Sequence, residues 1–291
     1  TRVRFPVPKP APLVSILIPT RDRANLLHLC IDSIRALTTY APYEIIVVDP
    51  GSEDADTLQW LDRFRQSGIR VLQEHGEFNF SRFNNQAAAQ ARGKVLCLMN
   101  DGIEIITPDW LEEMVSFAVQ DGIGAVGTRL WHPDQRLQGG GVILGLGGVA
   151  GPSFLNCERG NIGYFGRAAL HQSLSAVTAA CMVVRKSVFE EMGGFDERLA
   201  VTFHDVDFCL RLRQAGYRNV WTPYAEMRHD ELASHGQEKT PENQACLASE
   251  VAFMQDRWAD ELAADPAYSP NLSLGAHAFS LAWPPRVADL S

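Results

Sequence analysis

The sequence predicts an α/β fold built on a mostly parallel, Rossmann-like sheet flanked by helices. Three observations carry this. Apolar runs of strand length, "LVSILIPT", "YEIIVVD", "IRVLQ" and "KVLCLMND", recur as far as Asp101. Segments of helical periodicity separate them, the rhythm of βαβ units. The runs are continuously apolar instead of alternating, as expected of strands covered on both faces.

The elements follow in order. "RFPVPKPAP" is an extended lead-in, or a linker from something upstream. After the first strand, "NLLHLCIDSIRALT" places Leu27, Cys30, Ile31, Ile34 and Leu37 at helical spacing. "TLQWLDRF" reads as a second helix. "FSRFNNQAAAQARG" reads as a third, with Gly93 at its stop. Thr107-Pro108-Asp109 starts another, with Thr107 as N-cap and Pro108 at the first helical position. "GIGAVGTRL" is a strand, and the glycine-rich stretch Gly139 to Gly151 is loop and edge strand. "SAVTAACMVVRK" is a buried strand feeding the short helix "SVFEEMGGF". "HDVDFCLRLRQAG" is an amphipathic helix ending at Gly216, "YRNVWTP" a strand, and "PENQACLASEVAFMQDRWADEL" one long terminal helix.

The 291 residues allow one large domain or two small ones, and 46% hydrophobic residues suffice for a sizeable core. A net charge of −9 disfavours a nucleic-acid binder, which would carry a basic patch. Six cysteines are scattered without C-x-x-C spacing, which fits reduced thiols of a cytosolic protein. No apolar h-region follows the Pro-rich start. Leu137 to Cys157 lacks charge but is too rich in glycine for a spanning helix, so only peripheral membrane attachment stays open. G-x-G-x-x-G, G-x-x-x-x-G-K-[ST] and G-x-S-x-G are all missing, against dinucleotide, P-loop and α/β-hydrolase chemistry.

In parallel sheets ligands bind beyond the carboxyl ends of the strands. Thr20-Arg21-Asp22, Asp49 and Asn100-Asp101 sit at three such ends and should converge on one crevice. Asp49 there can accept from a ribose or a base N–H, with Gly51 permitting close backbone approach. It equally suits the first position of an ordinary turn. Asp205 and Asp207 open a helix, where one could act as a general base or simply cap it. His229 beside Asp230 suits a divalent cation, or a solvated surface.

Five motifs occur in order: "VSILIPTRDRANLLHLCIDSI", "YEIIVVDPGSED", "FNFSRFNNQAAAQARGKVLCLMNDGIEI", "TAACMVVRKSVFEEMGGFDE" and "HDVDFCLRLRQAGYRNVWTPYAEMRHDELASHG". Together they resemble the inverting family-2 nucleotide-sugar glycosyltransferases of GT-A fold, nearest to bacterial enzymes of O-antigen and cell-surface polysaccharide assembly. The resemblance covers roughly residues 12 to 286. It implies a lead-in (1–12), a single GT-A domain (13–265) and an extended tail (266–291). Within the domain it implies a nucleotide-binding half (13–106), an acceptor-side α/β half (107–239) and a C-terminal helix (240–265).

For the site, the resemblance puts Pro19, Thr20, Arg21 and Asp22 over the nucleotide. Asp49, Gly51 and Ser52 would meet base or ribose, and Arg82 and Asn85 would face the donor. Asn100-Asp101-Gly102 falls on the family's DxD-type metal motif. Asp205 matches the catalytic base, with His204 beside it, and Ala179, Cys181 and Met182 would line the sugar or acceptor pocket. Asp101 and His229 would hold Mn2+ or Mg2+, although glycine stands at 102 where the family has the metal-binding carboxylate. A weaker site using Glu104, a metal-free site using positive side chains, and a degenerate enzyme are the three readings of that glycine. The implied activity is sugar transfer from a UDP-, GDP- or dTDP-linked donor to a glycan or lipid-linked glycan, in the cytoplasm or at the inner membrane face. The alternative is a catalytically weakened nucleotide-sugar or glycan-binding module of a larger protein.

Overall fold

The computed structural model describes residues 2–74, 76, 78–230, 240–275 and 278–287. Four strands form the first half: the buried β1 (Val14–Pro19), β2 (Tyr43–Asp49) and β4 (Val95–Met99), and the half-exposed edge strand β3 (Arg70–Gln73). β1 pairs in parallel with both β2 and β4, and β3 continues the sheet beyond β2. Helices α1 (Ala24–Leu37), α2 (Ala55–Gln66) and α3 (Phe80–Gln90) connect them. Strand order therefore reverses between β1 and β4, the switch point where a crevice opens at the carboxyl ends. Alternate residues explain the continuous apolar runs. Leu17 faces one core layer and Ile18 the other, both fully buried, each contributing about 1.5–3 kcal/mol.

After β5 (Ile103–Ile105) and α4 (Trp110–Ala118), β6 (Ile123–Trp131) enters the same sheet. β7 (Leu137–Gly139), β8 (Val142–Leu144), β9 (Ala150–Pro152) and β10 (Gln172–Leu174) are short. β11 (Cys181–Arg185) runs antiparallel between β4 and β6, and leads into α5 (Lys186–Glu191). α6 (His204–Gln214) ends as expected at Gly216, whose φ is +88°. β12 (Arg218–His229) runs well past "YRNVWTP", pairing in parallel with β6 and then antiparallel with β5. That second pairing sets His229 opposite Ile103, beside the end of β4.

Three local expectations are corrected. Thr107 is not an N-cap: its Oγ1 accepts the Glu226 N–H at 2.9 Å, tying α4's approach to β12, and the helix begins at Trp110. Gly93 does not stop α3, which ends at Gln90. It is glycine because an added Cβ would lie 2.7 Å from the Leu13 carbonyl and from Ser15. The terminal helix is two: α7 (Pro241–Arg257) and α8 (Ala259–Ala263), parted at Trp258, whose φ of −125° leaves helical space. Tail residues Tyr268 and Leu272 pack on Ile143 with Phe279 alongside.

The lead-in is docked. Arg2 reaches Asp109 at 3.3 Å and Glu113 at 2.6 Å, and Phe5 meets Phe117 edge-on. Glu113 is buried and also accepts from Thr222 Oγ1 at 2.8 Å, with His171 Nε2 at the same distance. Burial pushes its carboxyl up, but bonds from His171, Arg2 and Thr222 outweigh that and hold it at about 2. A folded-state value below the unfolded one means stability present above pH ~4.5 and lost as pH falls toward 2. Glu113→Gln is expected to flatten that limb of an acid-unfolding curve and to cost about 1–2 kcal/mol at neutral pH. An unchanged acid limb would count against this cluster as the anchor.

Candidate active site

The three strand ends do converge. Thr20 Oγ1 donates to Asp101 Oδ2 at 2.8 Å, joining β1's end to β4's. Arg23, at the start of α1, lies 3.5 Å from Asp101 Oδ1. The Asp22 N–H donates to Ser52 Oγ, and Asp22 Oδ1 accepts the N–H groups of Glu53 and Asp54 at 2.7 and 2.8 Å. Asp22, itself at φ +51°, therefore staples the β1 loop to the β2 loop. Its neighbour Arg21 is exposed at the rim. Pro19 ends β1, and Gly51 turns the β2 loop at φ +96°.

Asp49 is 1% exposed. Its Oδ1 accepts the Ser52 N–H at 2.8 Å, as in an Asx turn, but Oδ2 is buried with no partner among the described residues. A buried carboxylate oxygen without a donor is costly unless something supplies one.

Asp205 reaches the crevice through two steps. The Asn100 N–H donates to Ala180's carbonyl at 3.0 Å, and the next N–H back, Ala179's, donates to Asp205 Oδ2 at 2.9 Å. Oδ1 accepts the Val206 N–H at 2.8 Å, so the carboxylate also serves the first turn of α6. Asp207 is different. It is wholly buried and accepts from Arg211 Nε at 2.8 Å and Trp258 Nε1 at 2.9 Å, with Arg257 at 3.2 Å, an anchor for α7. His204 packs against the rings of Phe80 and Phe195. Burial pushes its imidazole below its usual range against the pull of Asp205, Glu250 and Asp207. Its Nδ1 has no partner among the described residues.

Other candidates have partners of their own. Asn85 clamps Phe195, accepting its N–H at 2.8 Å and donating to its carbonyl at 2.9 Å. Arg82's guanidinium lies over the Phe83 ring. Cys181 and Met182 are fully buried in opposite core layers and line no open pocket; only Ala179, through its N–H, serves the site. All six cysteines are free. Residues missed from sequence are Arg23, visible within "TRDR", and Gln138, which had no local signal.

The Glycosyl transferase family 2 model matches residues 15–193. This chain belongs to glycosyl transferase family 2. The uncharacterized protein y4gI of Sinorhizobium fredii is 50% identical over 276 residues, 94% of this chain and 30% of that protein. The O-antigen biosynthesis protein RfbC of Myxococcus xanthus is 37% identical over 276 residues, 94% of this chain and 21% of that protein. The chain thus spans under a third of either relative. The crystal structure of GalNAc-T7 with UDP, GalNAc and Mn2+ matches with a TM-score of 0.60 at 14% identity, over 75% of this chain and 43% of that chain. That likeness speaks to fold alone: the GT-A-type α/β sheet implied by the five motifs.

The cation that the resemblance implies meets these residues as follows. Both Asp101 oxygens face Thr20 and Arg23, and burial pushes its carboxyl up against their pull. His229 Nδ1 lies 2.8 Å from Gln138 Oε1 and must donate to it, leaving Nε2 to face Asn100 Nδ2 at 3.4 Å. Glu104 pairs with Arg228. Gly102 offers no ligand, and an added Cβ would sit 2.7 Å from the Asp230 carbonyl. Among the described residues no three His, Cys, Asp or Glu side chains gather as an ion site. The described side chains of this family-2 crevice therefore do not fit a resident divalent cation. No described helix is long and apolar enough to cross a membrane.

Proposed function

We propose that this family-2 domain is an inverting transferase that moves a sugar from a nucleotide-diphosphate sugar to a glycan or lipid-linked glycan acceptor. Bacterial surface polysaccharide synthesis is the setting that RfbC's name supports, and the cytoplasmic face of the membrane is the place we propose for it. The observation that carries the donor class is the unpaired Asp49 Oδ2 at the end of β2. A base or ribose donor entering beside Gly51 satisfies it, and a uracil, thymine or guanine N–H has that character.

The chemistry is one displacement. Asp205 takes the proton of the acceptor hydroxyl as its oxygen bonds to the anomeric carbon. The bond from that carbon to the diphosphate oxygen breaks on the opposite side, so configuration inverts. The departing diphosphate gathers negative charge, and Arg21 and Arg23 on the β1–α1 loop are the cations set to meet it. Local charge must prevail here, since the chain as a whole carries −9.

Calorimetric titration with UDP, GDP and dTDP tests the reading. Asp49→Asn is expected to weaken the preferred nucleotide about tenfold or more, the worth of one charge-assisted bond. Equal affinity in both proteins would remove Asp49 from the nucleotide site. Tight nucleotide binding without turnover on any acceptor would instead favour a binding module, for which Gly102 speaks.

A further inference from the structure

The loop that delivers Asp205 is held by a carboxylate from the far end of the domain. Glu250, on α7, is 2% exposed. One oxygen accepts the Val201 N–H at 2.8 Å and the other the Thr202 N–H at 2.7 Å, and the Thr202 hydroxyl donates to the latter as well. Phe203 follows at φ +57°, a left-handed conformation that side chains rarely adopt, and it gives α6 no side-chain cap. His204 and Asp205 come next. A strained residue persists only where its surroundings fix it, and the peptide just before this one is fixed by Glu250.

α7 has a second anchor apart from these bonds, where Asp207 accepts from Trp258 and pairs with Arg257. Three of Glu250's contacts go to residues 201 and 202, and the fourth, Cys246 Sγ at 3.7 Å, is one turn away on its own helix.

We infer that Glu250 is a positioning residue for Asp205: it fixes the 201–203 backbone so that the carboxylate of Asp205 meets both the Ala179 N–H and the acceptor hydroxyl. This rests on the reading of Asp205 as the base. A group that orients a base affects the reacting geometry and leaves the nucleotide pocket at Asp49 untouched. Nucleotide release from a panel of UDP-, GDP- and dTDP-hexoses provides the assay, with Glu250→Gln, Thr202→Val, Trp258→Phe and Asp205→Asn measured side by side.

Glu250→Gln sets an amide N–H2 against one of two backbone N–H donors. It is expected to lower kcat roughly 10- to 100-fold with donor KM and nucleotide diphosphate affinity within about twofold. Thr202→Val, which removes only the hydroxyl contact, is expected to lower kcat by about threefold, and Glu250→Asp to recover part of the loss. Trp258→Phe, which weakens the other anchor, should lower Tm and leave kcat unchanged well below it. Unchanged kcat in Glu250→Gln, or in Thr202→Val should the former not fold, with Asp205→Asn inactive, overturns the positioning role. Asp205→Asn as active as the parent chain, or a parent chain inactive on every donor, overturns instead the reading on which the role rests.

Discussion

Asp205→Asn is expected to lower turnover by about 10²–10⁴-fold, the usual contribution of a general base, while nucleotide diphosphate affinity stays unchanged. The structure narrows what that result would mean. Two acids open α6, and sequence alone leaves either as cap or as base. Asp207 is excluded from the crevice by its burial and its bonds to Arg211 and Trp258. Asp205 instead serves the first turn of α6 through the Val206 N–H and is tied through Ala179 and Ala180 to the end of β4, which leaves it as the acid open to the role of base. The asparagine keeps one acceptor but turns an amide toward the N–H of Ala179 or of Val206, so some stability is lost as well. Thermal melts separate the two losses. If turnover per folded molecule survives near the parent level, Asp205 is a cap and the base lies elsewhere.

Much of this was legible in the sequence for identifiable reasons. β1, β2 and β4 are covered on both faces, so their apolar runs could not be mistaken for amphipathic strands. The helices between them fixed parallel order, and parallel order fixed the end at which Thr20, Asp49 and Asp101 must gather. What could not be read was each polar group's partner. Asp22 looks like a ligand-facing acid and instead holds the N–H groups of Glu53 and Asp54. Asn85 looks donor-facing and clamps Phe195, whose position depends on a loop far along the chain. The second half of β12 escaped notice because "YAEMRH" is charged and half polar. Yet its pairing with β5 is what brings His229 to Asn100.

Gly102→Asp, which adds a carboxylate next to Asp101, is expected to create measurable Mn2+ binding in the presence of a nucleotide diphosphate and to destabilise the fold by about 1–3 kcal/mol. Both halves come from the same neighbours. An added Cβ would lie 3.6 Å from His229 Cδ2, so the new carboxylate would stand beside an imidazole whose Nε2 lies 3.4 Å from Asn100 Nδ2. Two protein ligands completed by diphosphate oxygens suit Mn2+ or Mg2+. But the Cβ also falls 2.7 Å from the Asp230 carbonyl, and the Asp230 N–H is bonded to Gly102's own carbonyl at 3.0 Å. The end of β12 must therefore move before the carboxylate fits. Gly102→Ala separates the two effects, since it brings the collision without the ligand and should match the loss of Tm with no response to Mn2+. Should Gly102→Asp bind Mn2+ no better than Gly102→Ala, this glycine does not stand at the donor phosphates, and the placement of Asn100-Asp101-Gly102 on the metal motif is wrong.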